Sequence, residues 1–224
     1  MNCLAIDTSS DYLSLALSHG DQLYEHHEPA GQAQAEHALP AVRGLLTQAG
    51  INLGSLDCVI YGQGPGSFTG LRIACGLAQG LAFAANLPVM AIPTLDCIAA
   101  QASGHVLVCL DARMHQVYTA AYDTENWQIL SPITLSNPDA VTLPDAVGHW
   151  TGAGNGFTSY GSEFSRQLMD NLAETQPDLR PYARFLIKLA SSGRYQLAHP
   201  RDAGLLYIRD KVALTTSEQQ AQHK

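Results

Sequence analysis

The stretch Tyr61–Ala82, "YGQGPGSFTGLRIACGLAQGLA", puts four glycines (Gly62, Gly64, Gly66 and Gly70) into nine residues and then opens a long helix-forming run. It follows "DCVI", an apolar segment that reads as a buried strand. Strand, glycine loop and helix in that order are the unit with which α/β proteins often hold a phosphate at a helix N-terminus. The spacing matches neither standard phosphate motif. No Lys follows the glycines, which excludes a P-loop, and G-x-G-x-x-x-G is one residue longer than the dinucleotide fingerprint. No acidic residue stands about twenty positions further on to take a ribose. Ser67 occupies the strand-to-helix position of a hydrolase nucleophile, but G-S-F-T-G is not G-x-S-x-G, and a helix N-cap is the more economical role. Gly64, Gly66 and Ser67 remain the candidates for a cofactor contact.

The helix after the loop is apolar over most of its circumference. Ile73, Leu77 and Leu81 share one side, Ala74, Ala78, Ala82, Ala85 and Cys75 the next, and Arg72, Gly76, Gln79 and Phe83 the third. Such a helix is buried on more than one side. The large residues are expected on a sheet. The alanine face, or the adjoining Arg72/Gly76 face, is expected against a second helix. A preceding helix is expected from Ala35, Ala38, Leu39, Val42, Leu45, Leu46 and Ala49, stopped by Gly50, with Pro40 either starting or kinking it.

Outward from this unit the chain repeats itself. "CLAID", "YLSLALS" and "QLYEHHE" read as three strands joined by the turns "TSSD" and "HGD". "VLVCLDARMHQVYTAAYDTENWQIL" (106–130) gives the same series, with Asp111 in the place of Asp7, and "WTGAGNGF" gives a second strand entering a glycine loop. We read an internal duplication, with one unit over 1–103, a second over 104–213, and a polar tail over 214–224 expected to be disordered. Asp7 and Asp111, at strand ends facing a cleft between the halves, are of a type that holds Mg²⁺ near phosphates, but turn capping is the favoured role. Asp57, Asp96 and Asp123 fall at turns or helix starts.

Composition narrows the class. With 46% hydrophobic and 14% charged residues the 224-residue chain has ample core for a soluble α/β protein. No basic leader and no uninterrupted apolar run of about 18 residues is present, so a cytoplasmic protein is expected. Five scattered cysteines without C-x-x-C spacing point to free buried thiols, not disulfides or zinc. Twelve basic against twenty acidic residues, with no basic run, leave no stripe for a nucleic-acid backbone. None of the nine histidines stands three to five residues from another, which excludes a helical metal-ligand pair.

"LAIDTSSDYLSLAL", the glycine-loop stretch, "LDARMHQVY" and "LYIRDKVA" resemble the bacterial TsaB family of tRNA threonylcarbamoyladenosine synthesis over nearly the whole chain. The resemblance implies an actin/Hsp70-like α/β fold of two ribonuclease-H-like subdomains. It also implies a non-catalytic subunit, forming a homodimer alone and a heterodimer with its paralogue TsaD. TsaD transfers the threonylcarbamoyl group to an adenosine beside the anticodon, the ATPase TsaE joins the pair, and a threonylcarbamoyl-AMP synthase acts upstream. ATP and a metal ion would enter through TsaD and TsaE, tRNA only through the complex, and no membrane is involved. TsaD's metal-binding H-x-x-x-H segment aligns with "IPTLDCIAAQA", where Leu95, Asp96 and Ala100 stand instead. Gln34 stands where the family commonly has His. Leu39, Val42, Leu46, Arg72, Gly76, Ala78, Gln79 and Ala82 are the candidate partner-interface residues. The competing class is a stand-alone sugar-kinase-like phosphotransferase or a glycoprotease-like hydrolase using Ser67.

Overall fold

The computed structural model describes residues 1–146 and 148–208, so the expected tail lies outside the described residues. The first half runs β1 (Cys3–Asp7), β2 (Tyr12–His19), β3 (Gln22–Pro29), α1 (Gln34–Ala49), β4 (Cys58–Gly64), α2 (Phe68–Ala85), β5 (Val89–Pro93) and α3 (Thr94–Ala99). The second runs β6 (His105–Asp111), β7 (Val117–Asp123), β8 (Gln128–Ser136), β9 (Trp150–Ala153), α4 (Gly156–Tyr160), α5 (Arg166–Asp170), β10 (Leu172–Gln176), α6 (Ala183–Ala190) and β11 (Leu197–Ala198). The sheet orders are β11-β5-β4-β1-β2-β3 and β10-β9-β6-β7-β8. Without β11 the two orders are the same arrangement, an antiparallel meander followed by parallel crossovers. The same strand arrangement thus recurs in the two halves, and the tandem ribonuclease-H-like fold is present.

Period-two alternation explains both faces of the first sheet. Leu4, Ile6, Leu13, Leu15, Leu17, Val59 and Tyr61 point to one core, beneath α1 and α2. Cys3, Ala5, Ala16, Cys58 and Ile60 point to the other. α1 runs unbroken through Pro40 and stops at Gly50, whose φ of 68° lets its N–H return to the carbonyls of Leu46 and Thr47.

The halves exchange helices. Leu95, Ile98 and Ala99 of α3 pack on the second sheet against Val106, Val108, Ala120 and Tyr122. Ala183, Leu186 and Leu189 of α6 pack on the first sheet, and β11 pairs antiparallel with β5. Each sheet has one face its own crossover helices leave bare, and the other half covers it.

α2 also departs from expectation. Ala74, Ala78 and Ala82 are fully buried on the first sheet, while Leu77 and Leu81 are only half-buried. The sheet already presents bulky Leu, Ile and Tyr side chains there, so small residues on the helix let the layers close to native density. Ala78, Ala82 and, on α1, Val42 are therefore core residues and not available to a partner. α2 is apolar and long enough to span a bilayer by composition, yet it forms a layer of this α/β core.

Candidate functional site: the cleft and the outer face of α2

The β1–β2 turn, the glycine loop, the β6–β7 turn and the second glycine loop gather at one end of the two sheets. Together with Thr94, Arg180 and Leu206–Ile208 they line a cleft of about 650 Å³ between the halves.

The glycines of the first loop are spent on backbone approach. A Cβ at Gly66 would lie 2.6 Å from the Ser9 carbonyl oxygen, and one at Gly70 would overlap the Thr8 carbonyl oxygen. Two hydrogen bonds fix this contact, Ser67 N–H to Ser9 O at 2.8 Å and Thr8 Oγ1–H to Gly70 O at 2.7 Å. A Cβ at Gly62 would overlap Asp7 Oδ2. Ser67 caps α2, its Oγ accepting from Gly70 N–H at 3.3 Å. Among the described residues no histidine lines the cleft, so Ser67 has no imidazole base there.

The two strand-end carboxylates both cap turns. Asp7 Oδ1 accepts from Ser9 N–H at 2.9 Å and from Ser9 Oγ–H at 2.8 Å. Asp111 Oδ1 accepts from Arg113 N–H at 2.7 Å and from Tyr160 O–H at 2.9 Å. Asp7 is turned under the glycine loop, 1% exposed, with Oδ2 unpaired. Burial pushes its pKa up to about 6, against the opposing pull of the Ser9 hydrogen bonds. Asp111, by contrast, reaches the cleft wall.

Gln34 is 3% exposed and donates to the carbonyls of Ser10 and Tyr12 at 2.6 and 2.9 Å. It ties α1 to the cleft turn. Leu95, Asp96 and Ala100 all face the interior. The Asp96 carboxylate accepts from Tyr122 O–H at 2.7 Å and Tyr195 O–H at 2.8 Å, and burial raises its pKa. A hydrogen-bonded strut between the halves thus stands where the resemblance places a metal-binding segment. Among the described residues no group of three or more His, Cys, Asp or Glu is placed to hold a metal ion.

Of the candidate interface residues, Arg72 and Gly76 lie on an exposed stripe of α2 that continues through Gly80 and Phe83. A Cβ at either Gly76 or Gly80 would meet nothing within 4 Å, and Phe83 is 73% exposed. Gln79 is engaged within the chain, donating to Pro200 O at 2.8 Å. Leu39 is exposed on α1 and Leu46 is half-buried against the core. Sequence reasoning missed Gly80, although its G-x-x-x-G spacing with Gly76 was a legible signal for close helix approach. It also missed Phe68 and Tyr207, which flank Arg72 with their ring centroids 3.3 and 5.5 Å from its guanidinium carbon.

Residues 26–142 match the family described as TsaD: tRNA N6-adenosine threonylcarbamoyltransferase. The chain is 32% identical to the tRNA threonylcarbamoyladenosine biosynthesis protein TsaB of Escherichia coli K12, over 95% of this chain and 96% of that one. It is 38% identical to TsaB of Haemophilus influenzae over 53% of this chain and 52% of that one. Among solved structures it is similar to YeaZ from Pseudomonas aeruginosa, with TM-score 0.85 and 33% identity over 92% of this chain and 99% of that one. A second Pseudomonas aeruginosa structure, described as an uncharacterized protein with similarity to peptidase YeaZ, gives TM-score 0.86 and 33% identity over 93% and 99% of the two chains.

Proposed function

Because this chain belongs to the TsaB family of tRNA threonylcarbamoyladenosine biosynthesis proteins, we propose that it is a non-catalytic subunit that pairs with a TsaD-type transferase through the outer face of α2. The observation that carries the reading is the open stripe Arg72–Gly76–Gly80–Phe83 on a helix whose opposite face is already seated on the sheet. Two glycines one turn apart leave room for another backbone, and exposed aromatic rings around them supply apolar area. The TsaD-family match spans α2, so a partner of that fold carries an equivalent helix, and the two would pack about a pseudo-two-fold axis. A homodimer of this chain uses the same stripe and competes with that pairing. TsaE, ATP and a metal ion belong to the assembled complex, and tRNA is held mainly by the partner, since this chain has a formal charge of −8.

The alternative, hydrolysis or phosphoryl transfer by this chain alone, has no specific observation in its favour. Ser67 serves as a cap, and the glycine-loop amide that a phosphate would use is given to Ser9 O.

The test pairs two substitutions on one helix. Gly76→Arg should leave the melting curve of the chain nearly unchanged, abolish co-purification with the TsaD-type subunit and stop tRNA modification in a reconstituted assay. Ala78→Arg should instead unfold the chain, because it forces a charge into the core. A Gly76→Arg protein that still pairs and still supports modification overturns the reading.

A further inference from the structure

After the short helical turn at Pro200–Asp202 the chain runs without regular structure from Ala203 to Ile208, and its position has two consequences. On one side it is bound to the end of β4. Tyr61 O–H donates to Gly204 O at 2.9 Å, Gly204 N–H points back to the same phenol oxygen at 3.0 Å, and Leu206 N–H donates to Gln63 O at 3.0 Å. Gly64, with φ of 107°, admits this passage: a Cβ there would come within 3.2 Å of Leu206 O and 2.9 Å of Leu71. On the other side the segment borders the outer face of α2. Arg72 lies between Phe68 and Tyr207, both more than half exposed. Leu206, Tyr207 and Ile208 also form part of the cleft wall, as does the β6–β7 turn.

We propose that Ala203–Ile208 is a strap through which a TsaD-type partner seated on α2 is sensed in the cleft. The partner surface then includes Tyr207 and the strap as well as α2. The inference rests on the reading of α2 as the docking helix. Among the described residues the strap is held by few hydrogen bonds and by no ladder of its own, the kind of segment that opens at low free energy. A partner helix packed over Phe68, Arg72 and Tyr207 adds apolar contact to its exposed side and so favours its closed position. By reciprocity, a strap already closed binds that partner more tightly.

Amide hydrogen exchange on the full chain, alone and with the TsaD-type subunit, tests this. The Gly204 and Leu206 amides should exchange at least tenfold more slowly in the complex, together with those of the Ala203–Ile208 segment. If α2 and Phe68 are protected in the complex while the Gly204 and Leu206 amides are not, the strap proposal fails and the docking reading stands. If a complex forms without protecting α2, both fail. Tyr61→Phe removes the phenol that holds Gly204, together with its hydrogen bond to Cys75 of α2, and changes no residue of the exposed stripe Arg72–Gly76–Gly80–Phe83. It should speed strap exchange in the free chain and weaken partner binding at least fivefold. Faster strap exchange with unchanged partner affinity overturns the coupling.

Discussion

The two halves share one plan as far as the glycine loop and diverge after it. Gly62, Gly64 and Gly66 correspond to Gly152, Gly154 and Gly156 in sequence spacing, and Gly64 and Gly154 share positive φ values of 107° and 101°. In each loop the last of these glycines lies against the neighbouring strand end or turn: a Cβ at Gly66 would strike Ser9 O, and one at Gly156 would strike Cys109 O and Sγ. Both strand-end aspartates accept the N–H two residues on. Beyond the loop, however, the first half builds the 18-residue α2, and the second builds only the five-residue α4 and α5. A five-residue helix has no second face to offer. The difference teaches that the shared loop serves the fold, whereas the proposed docking face lies in the half that has the long helix.

The largest effect should come from the loop contact itself. Gly70→Ala drives a Cβ into the backbone carbonyl of Thr8, which cannot rotate away as a side chain would. We expect destabilisation of about 3 kcal/mol, the upper end for overpacking, read as a shifted urea midpoint. Gly66→Val should likewise lower folded yield and assembly together. If either variant kept normal melting and assembly and lost only nucleotide binding, the phosphate-cradle role would return for the first half.

Next comes the buried aspartate. With its pKa raised by burial from 3.8 to about 6, Asp7 keeps its proton more readily folded than unfolded. Its contribution is fully present below about pH 4 and is lost as pH rises through about 6. At neutral pH the ionised form is penalised by about 3 kcal/mol. Relative to Asp7→Asn, the wild type should therefore lose about that much stability between roughly pH 4 and 7. Equal pH dependence in both proteins would mean that Oδ2 finds a partner on ionisation.

The smallest effect should be at the matching position of the second half. Asp111→Ala removes a turn cap and the Tyr160 hydrogen bond from a side chain nearer the cleft surface, for about 1 kcal/mol. A cost at Asp111 as large as that at Gly70 would show that the second turn carries more of the inter-half packing than its hydrogen bonds indicate.

Local pattern determined much of this protein. Alternation in "YLSLALS" and its counterpart over 117–123, glycine spacing, the Ser67 cap and the repeated strand-end aspartate are all readable from neighbours in the chain, because their causes act over a few residues. The family was legible for the same reason: its resemblance is carried by a few such local stretches, the glycine loop foremost. The sequence alone did not determine which face of α2 is core. Three apolar or small faces compete there, and the choice depends on what the sheet presents across the gap. The exchange of α3 and α6 between halves, the Asp96 strut to Tyr122 and Tyr195, and the strap on Tyr61 all join residues far apart in the chain. Tyr61 and Gly204, 143 positions apart, meet only in the folded chain. Only tertiary structure could decide those contacts, since burial and close packing are properties of the assembled layers and not of any one segment.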